Sequence, residues 1–101
     1  MGRNSAGGGR GRAGAVRLGT RVVSAGDLRG VTDGGKPIAA TSEARLQRVR
    51  GLFDAGRQNQ GRGVLVTVSR DGRMSVDDGR HRILVAMERG AKIKVTFRRG
   101  R

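Results

Sequence analysis

Residues 68–97 read VSRDGRMSVDDGRHRILVAMERGAKIKVTF, and the succession of patterns in this stretch decides the fold. Arg70-Asp71-Gly72-Arg73 is a hairpin turn between GVLVTVS (63–69), rich in β-branched residues, and a returning strand MSVDD (74–78). Asp78 then fits the N-cap of a helix over Gly79–Arg89, with Gly90 as its terminator. The nearly continuous apolar run Ile83, Leu84, Val85, Ala86, Met87 predicts a well-buried helix. In KIKVTF, Lys92, Lys94 and Thr96 alternate with Ile93, Val95 and Phe97, the period of a half-buried strand.

Upstream, TRVVS (20–24) reads as a first strand, and Asp33-Gly34-Gly35 with Pro37 marks a loop. Thr41 or Ser42 caps a helix to about Ala55, with Leu46, Val49, Leu52 and Phe53 on one face. Gly56 suits its C-terminal cap, and RQNQGRG is a loop. The expected fold is therefore α+β, a small mixed β-sheet with two helices in the order β-α-β-β-α-β, over residues 20–98. Residues 1–19 hold seven Gly and four Arg with no acid, too few large apolar groups to offset the entropy of ordering. They read as a flexible basic arm or linker, and residues 99–101 as a basic tail.

The composition bounds the chemistry. Of 101 residues, 35% are hydrophobic with two Phe and no Trp or Tyr, which suits one small aliphatic core. Absence of cysteine excludes disulfides and thiol chemistry. No apolar run approaches the ~20 residues of a membrane span. Twenty-two basic against eight acidic residues give +14, a balance that favours DNA, a nucleotide or another polyanion as partner. With only two aromatics, base stacking is no major route, so nucleic-acid binding is expected to be backbone-dominated and salt-sensitive.

One constellation carries chemistry. A Gly-containing turn joins a strand to the start of a buried helix, where unpaired N–H groups carry partial positive charge. Arg80, His81 and Arg82 add cations there, against the usual preference for acids. A bound anion would resolve the conflict by accepting backbone and guanidinium hydrogen bonds. The structural alternative is that Asp77, Asp78 and Glu88 neutralise the arginines in a salt-bridge network.

The stretch 64–97 resembles the core of the ParB/sulfiredoxin superfamily, in which a hairpin precedes a D/E-G-x-H-R or G-C-H-R turn, an Ala-rich helix, Gly and a last strand. Asp78, Gly79, His81, Arg82, Ala86, Gly90 and the strand from Lys92 fall in register with that pattern. The resemblance implies that Gly79, His81 and Arg82 contact nucleotide phosphates, with Arg80 beside them. It also implies ATP or another nucleotide, with Mg²⁺, as cofactor. Sulfiredoxin's reactive cysteine would fall at Arg80, so its redox chemistry is not expected. The E-R-R turn and downstream helix-turn-helix of the partition proteins are missing, so sequence-specific partition activity is not expected either. A related kinase keeps an acidic base after its first strand, where Asp27 and Asp33 stand here; Asp33 also reads as a turn-former.

Two functions follow as expectations. One is an enzyme hydrolysing DNA or a nucleotide such as ATP, with His81 and Asp78 catalytic and Gly79, Arg80, His81 and Arg82 on the phosphate. The Gly-rich basic leader and the end at the last strand resemble the effector domains of bacterial polymorphic toxins. That resemblance implies delivery within a larger protein, a cytoplasmic site of action and an immunity protein as partner. The other is a non-catalytic nucleotide- or nucleic-acid-binding module of bacterial or phage origin. In either, Arg45, Arg48, Arg98 and Arg99 are candidate nucleic-acid contacts, and Arg45 and Arg48 also read as a solvated helix face. Asp77 and Asp78 could meet Mg²⁺, but neighbours on a strand are expected to point to opposite faces.

Overall fold

The computed structural model describes residues 16–61 and 63–100. Fifteen residues of the expected arm, together with Arg62 and Arg101, lie outside the described residues. The described chain runs β1 (Gly19–Val23), a 3-10 turn (Ala25–Leu28), β2 (Val31–Thr32), α1 (Glu43–Asp54), β3 (Val64–Val68), β4 (Met74–Asp78), α2 (Arg80–Arg89) and β5 (Ile93–Arg99). The strands form one mixed sheet in the order β1-β5-β3-β4-β2. β3 lies at its centre, parallel to β5 and antiparallel to β4.

Period-two patterning explains the layers. Val64, Val66 and Val68 of β3, with Ile93, Val95 and Phe97 of β5, are buried at or below 3% exposure. Leu65, Thr67, Lys94 and Thr96 alternate with them toward the other face. The buried set meets Ile83 and Ala86 of α2 and Leu28 of the 3-10 turn, with Phe53 of α1 packed against its margin. Each fully buried Val, Leu or Ile contributes roughly 1.5–3 kcal/mol relative to exposure. Ser42 caps α1 as expected, its side chain accepting the N–H of Arg45 at 3.2 Å.

Several elements differ from the sequence expectation. Val31–Thr32, expected as loop, pair in parallel with Met74 and Ser75 and form the far edge of the sheet. Too few residues stand there for a pattern to show. β5 continues through Arg98 and Arg99, which pair with Thr67 and Val68, so the basic tail is part of the sheet up to that point. Gly100 extends the tie, its N–H donating to the carbonyl of Val68 at 2.9 Å. Met87 is 42% exposed, so α2 buries one face rather than its whole apolar run.

β4 also carries a bulge. Leu65 pairs with Asp78 while Val66 pairs with Val76, which leaves Asp77 as the extra residue. The two carboxylates still diverge: Asp77 engages side chains on the face away from the core, whereas Asp78 also reaches the start of α2. Both line one depression of about 510 Å³ with Thr96 and Arg98. Asp77 accepts from the Thr67 hydroxyl and pairs with Arg98 at 3.4 Å.

Candidate functional site

β4 stays in the sheet through Asp78, so the chain must turn sharply at the next residue to start α2. Gly79 does this with φ +93°, a conformation costly for residues with a Cβ. An added Cβ would lie 2.9 Å from Cγ2 of Val64 and 3.0 Å from its Cα. Two independent constraints thus demand glycine. The helix cap is therefore Gly79, not the expected Asp78, and it supplies no side-chain acceptor. No acidic residue stands in the first turn. Intrahelical bonding begins with the N–H of Ile83 donating to Gly79 at 3.1 Å. The N–H groups of Arg80, His81 and Arg82 precede that bond and have no intrahelical acceptor.

The three side chains of this turn reach three different segments. Arg80 pairs with Asp33 of the Gly-Gly turn, Nε to Oδ2 at 2.9 Å. His81 is 5% exposed, and its Nε2 accepts the backbone N–H of Thr41 at 3.3 Å, just before α1. Arg82 donates from a terminal nitrogen to the carbonyl of Gln58 at 2.9 Å. One helical turn thus fastens the turn after β2, the approach to α1 and the loop before β3. With Nε2 accepting, the imidazole proton sits on Nδ1. Burial, reinforced by the Arg45 and Arg80 guanidiniums, holds His81 below the ordinary histidine range, so it is neutral at pH 7.

A depression of about 210 Å³ opens over this turn, lined by Arg45, Val49, Gly63, Asp78 and residues 79–82. Arg45 enters it from α1, and among the described residues its guanidinium has no ion pair. Arg80 is partly committed to Asp33. The resulting surface combines N–H groups that have no intrahelical acceptor with Arg45, the remaining donors of Arg82 and the Asp78 carboxylate. The wider depression, about 600 Å³, lies between the Gly34-Gly35 turn and the hairpin. Its hydroxyls are mutually engaged: Ser75 accepts from Gly34, Thr32 accepts from Gly35, and Ser69 bonds Asp71. It holds none of the candidate catalytic, phosphate-binding or nucleic-acid-contact residues named from the sequence.

The structure brings Asp78, Gly79, Arg80, His81, Arg82 and Arg45 together. Arg48 is exposed on α1 and does not line the depression. Arg98 and Arg99 do not join them either: they sit three and four residues along β5 from Val95, the partner of Val64 that abuts Gly79. Arg98 also faces the opposite side of the sheet, paired with Asp77. Thr41 and Gln58 contribute only backbone groups, and no side-chain signal could have revealed them. Asp27, offered as a base, accepts from the N–H and hydroxyl of Ser24 at 3.1 and 3.0 Å. Among the described residues, no three His, Asp or Glu side chains gather into a metal-binding group. No described helix is long and apolar enough to cross a membrane. In comparisons with known proteins, no family model matches the chain, and the searches of curated proteins and of solved structures return no match.

Proposed function

We propose that this chain is a phosphate-binding domain on a ParB/sulfiredoxin-like scaffold, with a nucleotide or nucleic acid as partner. One observation carries the reading. The start of α2 is capped by a glycine that cannot be replaced without strain, and Arg45 and Arg82 flank it. Such an end accepts an oxyanion through backbone N–H groups and through guanidinium forks. The net charge of +14 supports the same partner class by long-range attraction.

Holding the phosphate is favoured over cleaving it, because His81 is buried and its acceptor nitrogen is engaged by Thr41. Hydrolysis is the second reading, and one observation favours it: Asp78 lines the same depression. In that reading Asp78 is the general base and His81 positions the turn. Among the described residues, Asp78 would then be the one carboxylate beside a Mg²⁺ ion held otherwise by phosphate oxygens, and the ion would offset the phosphate charge.

Equilibrium binding of a fluorescent ATP analogue and of a labelled 12-base-pair duplex, with and without Mg²⁺, tests both. Arg82→Ala and Arg45→Ala should each weaken binding about tenfold or more, as expected for a lost charge-assisted hydrogen bond. Arg99→Ala should change it less than about threefold. Equal losses at all three positions would reduce the site to a generally basic surface. Product formation that disappears in Asp78→Asn selects hydrolysis; binding without turnover selects the module.

A further inference from the structure

β1 is the outermost described strand and pairs only with β5 among the described residues. Natural edge strands are usually guarded by proline, a bulge or brevity. Gly19–Val23 has no proline, and its five residues pair with β5 in unbroken register. Leu18 and Val22 are 46% and 54% exposed, two of the three large apolar side chains that reach solvent among the described residues. Val22 shares one face of the strand with Thr20, and Leu18 immediately precedes the strand.

The charge around this edge is positive. Arg21 lies over the Phe97 ring, 4.3 Å from its centroid, and donates to the carbonyl of Arg17 at 2.7 Å. Lys94 stands directly across from Val22. The nearby carboxylate, Asp27, accepts from Ser24 and offsets part of the Arg21 charge, leaving Arg17 in excess. A second copy of the chain would bring its own Arg17 and Arg21 against the same residues, under a net charge of +14 per copy. Like charges opposed across a strand pair are destabilising.

We propose that the outer edge of β1 receives an extended polypeptide segment of alternating acidic and apolar residues, added as a further strand. Main-chain hydrogen bonds supply the affinity, while Leu18 and Val22 meet apolar side chains and Arg17 and Arg21 select for acid. This inference stands independently of the phosphate site.

The test uses the full chain, labelled with ¹⁵N, titrated with an eight-residue peptide alternating Glu and Val and with its Lys/Val counterpart. The amides of residues 19–23 should shift with the Glu/Val peptide and exchange more slowly with solvent. The Lys/Val peptide should bind at least tenfold more weakly. Val22→Glu should lower affinity at least tenfold, while Met87→Glu, at the third exposed apolar side chain, leaves it unchanged. Equal binding of the two peptides, or no shift at 19–23, overturns the proposal. So does slow exchange in the peptide-free chain at micromolar concentration at those amides of 19–23 that point away from β5, which would mean the edge is already covered. Concentration-dependent dimerisation abolished by Val22→Glu, without peptide binding, would assign the edge to a second copy instead.

Discussion

His81 Nε2 accepts the backbone N–H of Thr41 at 3.3 Å, and that bond requires the imidazole to be neutral. The groups facing it are Arg45 from α1 and Arg80 on its own helix, both cationic. Burial and these charges lower its pKa in the folded chain, whereas the unfolded chain keeps a value near 6.5. Below that pH the unfolded chain binds more protons, so stability falls as pH falls. Urea midpoints should therefore drop between about pH 6.5 and pH 5. In His81→Gln the drop in this interval should be largely absent. The lowered carboxylates Asp27, Asp71 and Glu88 lose their contributions only at more acidic pH, below about 4. An unchanged wild-type profile above pH 5 would contradict the tie.

Gly79→Ala should destabilise the fold by about 2–4 kcal/mol, combining left-handed strain with overpacking against Val64. Gly35→Ala is the control, since its φ is +90° but nothing lies within 4 Å of the added carbon. It should cost about 1–2 kcal/mol. Denaturant unfolding of the pair separates strain from crowding, and equal losses would mean that Val64 yields.

Asp33→Asn should leave stability within about 1 kcal/mol, because the Arg80–Asp33 pair is partly exposed. The same change removes an acid and releases the Arg80 guanidinium beside the proposed phosphate site. Affinity for inorganic phosphate and for ATP should rise, by about two- to fivefold at low salt. Calorimetric titration measures it; weaker binding would show that Asp33 orients Arg80 productively.

For duplex DNA, the logarithm of affinity should fall linearly with the logarithm of salt concentration. Arg45→Ala and Arg82→Ala should each flatten that slope by about 1. Arg98→Ala should leave it nearly unchanged, since Arg98 is paired with Asp77 on the other face. Fluorescence anisotropy across a salt series reads the difference.

Sequence patterns located the elements whose burial is periodic. Val64, Val66 and Val68, the Arg70–Arg73 turn and the alternation of β5 were legible because one face of each strand meets the core. Val31–Thr32 was not, because a two-residue strand holds less than one full alternation. The bulge at Asp77 was not legible, because it depends on the partner strand, which local spacing does not encode. At the site, Gly79 to Arg82 could be singled out from chemistry alone. That each of the three side chains would reach a separate segment depended on which backbone groups came near. Arg45 and Arg48 were equal candidates for a nucleic-acid contact in the sequence, and only the packing of α1 beside α2 puts Arg45 alone in the lining.

The ties from Arg80, His81 and Arg82 span 47, 40 and 24 residues of chain. Contacts so remote in sequence cannot form until most of the polypeptide has collapsed, because loop closure must come before the contacts that reward it. The opening turn of α2 therefore acquires its partners only once three separate segments of the chain have been brought beside it. Before then the chain can bury aliphatic side chains but cannot present an assembled anion cradle. Binding competence thus reports completed folding rather than mere compaction.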